Sequence, residues 1–537
     1  MIRGYEVWNS NFQKDMGFLK VGEKEVFTFL NMRNNYYEIL EDTADRFPEK
    51  IAFCDNWERE YTFSAFLNMV DDFAAYLQEC LGVKRTSHVG VLLHNSIEFC
   101  TAFYAIGKLG AVMVPFPSKY REPELKALIE KADLDFLLCA EQFGVWVKDF
   151  GEQGIRIVYS MNEENEFGFR HLNLPRGKRG GSIGELTDEV IIMFTSGTTS
   201  ASKGVVLKNY NIIHAAMIYQ RLCEVTPEDK TIIPVPIYHI TGLIALLGLF
   251  VYTGGTVYLY RRYDAKRVLE CIRNNNITFM HGSPTVFGLL MDYREEFPNL
   301  PSLKTMLCGS SYMPVDKMKK IHNWLPTLKF MTVFGMTETA SPGTLFPYDT
   351  PTSIYPESSG KPIPGLDLKI VDERGEELLP GEVGSVFIRG ANILEYYYKL
   401  DTPLLTEDGW LDTGDMGYYN EDSYVFFVDR KKDMINRGGE KIWCTDVEEE
   451  LIAMPQIKDA AVVGIPNEIY GEVAAAVVVL ERGMELTYEE IKEFLSAKLA
   501  RYKIPEQVLF VQEVPKTPGL KVNKKYIRTM FGQEGIC

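Results

Sequence analysis

Between Phe194 and Val205 the chain reads FTSGTTSASKGV: the hydroxyl residues Thr195, Ser196, Thr198 and Thr199 surround Gly197, and Lys203 follows. Just upstream, EVIIMF is a short apolar run of the kind that forms a buried strand. A glycine- and hydroxyl-rich turn leaving a strand exposes backbone N–H groups and short donors. These can surround a polyphosphate, with the lysine supplying a point charge. Ordinary loops share this composition, and the spacing is not that of a GxxxxGK[ST] phosphate loop.

Four other stretches bear on the same chemistry. PVPIYHITGL places His239 at a strand-to-helix junction, although a single histidine is more often a satisfied polar residue beside a core. LKTMLCGSSYMP opens an apolar strand into Gly309, Ser310 and Ser311, and FMTVFGMTET ends a second strand in Phe334, Gly335, Met336, Thr337 and Glu338. Two neighbouring strands ending this way put carbonyls and an aromatic face around a flat base, with a carboxylate available for a metal beside phosphates. Both could equally be plain βα turns, but ligands of open α/β sheets do favour the carboxyl ends of strands. The fourth stretch carries TGD, read as a tight turn in which a lone Asp415 is usually solvated. Arg430 stands fifteen residues later. An acid for sugar hydroxyls and an arginine for phosphate or ribose suit a nucleotide lying in an interdomain cleft.

The elements that must position these residues alternate. Strand, helix, strand recurs through HVGVLLHN, AVMVPFP, DFLLCA, IRIVYS, VIIMF, TVYLY and LKTMLCG, which predicts an α/β fold of layered, largely parallel sheets. A helix is expected from Asn35, a core helix over Leu243 to Tyr252, and a loop or subdomain joint between Ser160 and Asp188. After about Thr339 the alternation of LDLKIVDERGEELLPGEVGSVFIRG predicts a small antiparallel β region. Mixed α and β return beyond Arg430. The expected organisation is an N-terminal extension (1–34), a large domain (35–429) with its β-rich part at about 340–429, a joint at 430–432 and a small domain (433–537).

At 537 residues the chain is long enough for more than one core. Its 46% hydrophobic and 24% charged residues are those of a globular protein. A net charge of −17 argues against a broad nucleic-acid or anionic-membrane surface. Nine scattered cysteines without a CxxC spacing predict a reducing setting and no structural zinc. No apolar run approaches the roughly 20 residues of a membrane span, and MIRGYEVWNSNFQKD lacks the apolar stretch of a secretory signal. A cytoplasmic location is the expectation.

In order and separation these stretches resemble the adenylate-forming superfamily of acyl- and aryl-CoA ligases, adenylation domains and luciferases, over about Asn35 to Arg528. The resemblance implies a large domain with a small β-barrel region and a small mobile α+β domain. It implies an AMP-forming acyl-CoA synthetase using ATP, Mg²⁺ and coenzyme A. It places Thr195 to Thr199 and Lys203 on the β- and γ-phosphates, Gly309, Ser310 and Ser311 beside adenine, and Phe334 stacked on it. Gly335 and Met336 fall in the nucleotide site, Thr337 on the α-phosphate and Glu338 on Mg²⁺. Asp415 matches the ribose acid, Phe427 the apolar residue that follows it, Arg430 the ribose and phosphate arginine, and Lys432 the hinge. PKTPGLK makes Lys521 the catalytic lysine, His239 lies by the acyl and pantetheine channels, and Gly438 and Gly439 line the coenzyme A path. Expected partners are a small carboxylic acid, ATP and coenzyme A, with neither nucleic acid nor a membrane span, and a homodimer is compatible with the family.

Several positions depart from the family pattern: Ser200, Ser202, Asn209, Glu395, Asn436 and Leu520, the last where glycine normally precedes the catalytic lysine. Leu520 and the altered loop motivate one alternative, a nucleotide-binding protein with impaired catalysis. Another is a stand-alone adenylation enzyme that loads a carrier protein. Amino-acid-activating relatives, however, carry an aspartate, and siderophore-type aryl-acid activators an asparagine, in the motif that here reads IYHITG. For the acid itself, a fatty or other hydrophobic monocarboxylic acid is the expectation.

Overall fold

The computed structural model describes residues 1–55, 58–161, 167–195, 202–400, 405–517 and 521–531. Within them the apolar runs become the central strands of two large sheets. One orders its strands 397–398, 204–208, 189–194, 112–115, 88–92, 136–140 and 156–160. It is parallel from Glu189–Phe194 onward. The other runs 361–362, 344–345, 329–334, 305–308, 279–282, 230–233, 256–259, 51–54 and 60–62, with a parallel centre. Parallel strands are buried on both faces, and Thr305–Cys308 and Phe279–Gly282 are buried throughout.

Helices cover these sheets where the sequence supplies caps. Asn35 accepts a hydrogen bond from the Glu38 amide at the start of Tyr36–Arg46, and Ser96 caps the wholly buried Ile97–Lys108. The core helix expected over 243–252 spans Thr241 to Thr253; its first eight residues are π-helical and its end is marked by Gly254 in the left-handed region. Among the described residues no helix is long and apolar enough to cross a membrane.

The antiparallel region orders strands 2–3, 366–371, 384–390, 411–419 and 425–430. Its first strand is a finding, because local patterning gave residues 1–34 no assignment. Ile2 pairs with Leu368, Met16–Val21 and Lys24–Phe29 form a hairpin, and buried Trp8 donates to the Pro362 carbonyl at 2.7 Å. Glu395, a departure from the family pattern, accepts from the Tyr210 hydroxyl at 2.7 Å and pairs with Lys24 of the hairpin at 3.0 Å.

Beyond Arg430 a separate sheet is built on the long antiparallel pair Ile457–Asn467 and Gly471–Leu480. Period-two alternation gives it two cores: Val462 and Val478 pack with Val447, Leu451 and Ile491 on one face, and Val463 and Val477 with Val514 and Ile527 on the other. Contacts between this unit and the rest of the chain include Lys317–Asp459 and Lys458–Asp292, each 2.8 Å, Lys441–Glu373 at 3.3 Å, and a hydrogen bond from Tyr312 to Glu449.

Trp8 is the buried anchor of the N-terminal segment. Trp8→Ala is expected to destabilise the large unit by about 3–5 kcal/mol, the usual cost of deleting a buried aromatic side chain. An unchanged denaturation midpoint would show that the segment is only draped over the sheet.

Candidate active site

The strands ending at Cys308 and Phe334 are parallel neighbours, so the two turns suspected of flanking a base do lie side by side. Phe334 stacks on Phe427 with ring centroids 3.9 Å apart and 21° between planes. Gly335 has to be glycine: a Cβ there would lie 1.5 Å from the Ser341 carbonyl oxygen. Ser310 adopts φ 71° and, like Ser311, is exposed at the rim.

The turn bearing Thr337 and Glu338 is pinned from within and from afar. Thr339 Oγ1 accepts from the Met336 amide, and Leu394 donates its amide to the Glu338 carbonyl. Buried Asn392 donates to the Thr339 carbonyl at 2.8 Å. The Glu338 carboxylate is itself buried and accepts from the Tyr397 hydroxyl at 2.8 Å. The Tyr397 ring in turn lies 5.0 Å from the Lys203 ammonium, and its backbone pairs with Val205. Tyr397 therefore joins the lysine of the hydroxyl-rich loop to the acidic turn, a link no local motif announced. Ser196, Gly197, Thr198 and Thr199 lie outside the described residues. Thr195 donates its amide to the Lys203 carbonyl at 2.9 Å, and the strands on either side, Glu189–Phe194 and Gly204–Lys208, are antiparallel.

Asp415 corrects a sequence expectation. TGD is not a solvated turn: it lies inside the strand Leu411–Tyr419, kinked at Gly414, and Asp415 is only 6% exposed. A bulge between Met416 and Gly417 sets Asp415 directly across from Arg430, and Arg430 Nε lies 3.0 Å from Asp415 Oδ1. The other oxygen, Oδ2, is buried with no hydrogen-bond partner. Burial pushes the Asp415 carboxyl up to about 6 against the pull of Arg430, with Asp412, Asp429 and Glu338 adding to the rise. A buried acceptor left open beside an arginine suits a ligand's hydroxyl.

Lys521, exposed on the other unit, stands near enough to feel the same charged groups. Desolvation and the nearby Arg430 and Lys432 lower its ammonium, while Glu338 and Asp415 oppose that shift. The Thr517 amide donates to the Lys521 carbonyl at 2.7 Å, and the Lys521 amide donates to Thr517 Oγ1 at 3.3 Å. Lys432 is exposed beside the strand end at Arg430. His239 also borders the cleft. Burial, then Lys521 and Lys119, hold its imidazole down to about 3, so it is neutral at physiological pH. Its loop is clamped by Asn95, which donates to the Val235 carbonyl at 2.9 Å and accepts from the Ile237 amide at 2.8 Å. Sequence reasoning missed Asn95, although its place at the end of a strand was in view.

Gly438 and Gly439 are not gathered with these groups. They form the exposed two-residue turn between Ile435–Arg437 and Glu440–Ile442, with φ of 61° and 99°. Asn436 Oδ1 accepts from the Gly439 amide at 3.0 Å, so the turn alone accounts for both glycines and for the asparagine.

Residues 40–398 match the AMP-binding enzyme family and residues 446–521 its C-terminal domain. The chain belongs to the AMP-binding enzyme family. Among its relatives, a long-chain-fatty-acid–CoA ligase of Bacillus subtilis is 29% identical over 91% of this chain and 93% of its own length. A feruloyl-CoA synthase of Amycolatopsis is 30% identical over 84% and 90%. Among solved structures, ATP-bound MatB from Rhodopseudomonas palustris shares the fold, with a TM-score of 0.85 at 24% identity over 93% of this chain and 99% of that one. The o-succinylbenzoate coenzyme A synthetase of Bacillus subtilis, solved with ATP and magnesium ion, gives 0.80 at 26% identity over 92% and 99%. This family member is an AMP-forming acid–CoA ligase of the adenylate-forming superfamily.

Holding Asp415 ionised costs stability. A carboxyl raised above its unfolded value of about 4 destabilises progressively as pH rises from about 4 through 6. Asp415→Asn, neutral throughout, should therefore unfold at a higher temperature than the native protein at pH 7, by up to roughly 3 kcal/mol, with the gain vanishing by pH 4. The same variant should lose AMP affinity. Thermal melts across that range together with AMP titration check both.

Proposed function

We propose that the protein activates a carboxylic acid with ATP as an acyl-adenylate and passes the acyl group to coenzyme A. What best supports this is the convergence on one cleft of Glu338, Asp415 with Arg430, Lys203 and Lys521, drawn from well-separated parts of the chain. In the first half-reaction a carboxylate oxygen of the acid attacks the α-phosphorus and the α–β bond breaks, releasing pyrophosphate. Bringing two anions together is the obstacle, and positioned cations lower it. Lys521 would hold the acid and α-phosphate oxygens together, Arg430 the ribose and phosphate, and Lys203 the departing phosphates. Asp415 would take the ribose hydroxyls and Phe334 the base.

Glu338 fits Mg²⁺ in the way such sites usually hold it, through one carboxylate shared with substrate phosphates and water and not through a cage of protein ligands. Among the described residues no cluster of three or more His, Cys, Asp or Glu forms such a cage. When bound there, the ion supplies charge neutralisation on the phosphate oxygens. Tyr397 orients the Glu338 carboxylate for that role.

In the second half-reaction the thiol of coenzyme A attacks the acyl carbonyl, the bond to the adenylate oxygen breaks, AMP leaves and the thiol proton passes to solvent. Lys521 has to withdraw for this, with 430–432 as the hinge between a large domain (35–429) and a small one (433–537). Gly438 and Gly439 would then line the thiol's path. His239, neutral, would hydrogen-bond at the channel mouth and not take the proton. The acid is a fatty or other hydrophobic monocarboxylic one. Ile240 and Val333 on the pocket wall and the fatty-acid ligase relative support a hydrophobic acyl group, yet Tyr219, Thr241 and His281 stand on the same wall.

Lys521→Ala is expected to slow acyl-AMP formation by about 10²–10³-fold, the cost of removing one transition-state donor, while supplied acyl-AMP and coenzyme A still give thioester at near-native rate. Equal loss in both half-reactions would remove Lys521 from the first. Lys317→Glu, which sets a like charge against Asp459 outside the cleft, should weaken ATP–pyrophosphate exchange several-fold and spare the thioester step. A variant impaired equally in both would mean that the contact does not bias domain pose.

A further inference from the structure

Two histidines of this chain are wholly buried and held neutral, His214 and His281, both pushed down by desolvation, to about 4 and about 3. They differ in what their nitrogens meet. His214 Nδ1 shares a hydrogen bond with Thr28 Oγ1 at 2.8 Å, and Nε2 lies 3.2 Å from the Pro364 carbonyl. It is a satisfied structural residue. His281 Nδ1 is buried without a partner.

A buried polar atom left unpaired is costly, and native structures keep one mainly where something else completes it. His281 sits at the carboxyl end of Phe279–Gly282, next to the strand that opens into Gly309. It lines a small pocket shared with Tyr219, Thr241, Ser310 and Ser341. The Tyr219 ring stands edge-on to His281 at 6.0 Å, and its hydroxyl shares a hydrogen bond with Ser341 at 3.0 Å. Gly309 and Gly335 form part of the same wall, so the pocket adjoins the turns assigned above to the nucleotide. Its interior admits only a small group, about the size of a water molecule. No lysine or arginine lines it, so a second carboxylate would be buried there without a countercharge.

We propose that His281, with the Tyr219–Ser341 pair beside it, selects a compact monocarboxylic acid whose acyl chain carries an uncharged hydrogen-bonding group, a hydroxyl or a carbonyl, in preference to a plain alkyl chain or a dicarboxylic acid. The inference rests on the ligase reading above and names the substrate class of that same site. A neutral imidazole offers one donor and one acceptor, and a hydroxyl can answer either. Sites built to hydrogen-bond a substrate group discriminate strongly against analogues lacking it, because their own polar atoms are then stranded.

The test is pyrophosphate release with coenzyme A present, on size-matched acids: hydroxy and keto acids, their methyl or methylene counterparts, and dicarboxylic acids of the same length. The native enzyme should favour the best hydroxy or keto acid over its apolar counterpart by at least about tenfold in kcat/KM, the low end of discrimination by such sites. His281→Leu should abolish that ratio with AMP binding unchanged, and His281→Gln should restore part of it. Equal or better turnover of the apolar or dicarboxylic acids by the native enzyme overturns the substrate assignment while leaving the ligase reading standing. Silence across the whole panel, with AMP still bound, overturns the ligase reading and the inference with it. A ratio unchanged in His281→Leu removes His281 as the selector.

Discussion

The buried carboxylates of Glu338 and Asp415 are the constraint around which the cleft is built. Like charges taken out of water repel and lose hydration, and the raised carboxyl of Asp415 records the effect. They are tolerated because cations come to them from distant parts of the chain: Arg430 across a bulged strand pair, Lys203 by way of the Tyr397 ring, Lys521 from the other folding unit. A polyanion arriving with its own metal ion would complete that balance. The same imbalance that weakens the empty fold is therefore what makes the cleft receptive.

One of those cations is on loan. Lys521 reaches the cleft only while the small unit keeps its present pose, and the contacts that hold that pose include Lys317–Asp459, Lys458–Asp292, Lys441–Glu373 and the Tyr312–Glu449 hydrogen bond. Lys458 and Asp292 are both more than 40% exposed, and such pairs are worth about 0–1 kcal/mol each. Contacts of this strength define an orientation without locking it. A reaction whose second step requires the lysine to leave is served by weak contacts outside the cleft, with the strong hydrogen bonding reserved for groups that stay.

Much of this was legible in the chain because the signals were local. Apolar runs between turn residues located the parallel strands, alternation located the antiparallel region after Thr339, and the turns at Gly309 and Phe334 pointed to the carboxyl ends of neighbouring strands. What escaped was set by partners far away in sequence. The N-terminal segment looks irregular until Ile2 meets Leu368 and Trp8 meets Pro362. TGD carries the composition of a turn, but its place between Ile388 and Arg430 strands turns it into a kinked, buried stretch of sheet. Tyr397, Asn392 and Asn95 belong to no motif, since each acts by a hydrogen bond spanning 50 residues or more.

Departures from a family pattern look different once their partners are known. Glu395 stands where glycine is frequent, and alone it reads as a lost backbone freedom; its carboxylate instead ties Lys24 and Tyr210 together, so the change belongs with the N-terminal hairpin. Asn436 stands where lysine is frequent, and its side chain closes the turn at Gly439. Asn209 donates to the Glu185 carbonyl at the start of its helix. None of the three touches the Glu338, Asp415 and Lys521 cluster. A count of mismatches argues for decayed catalysis only if the mismatched residues share a task, and these three serve separate structural contacts.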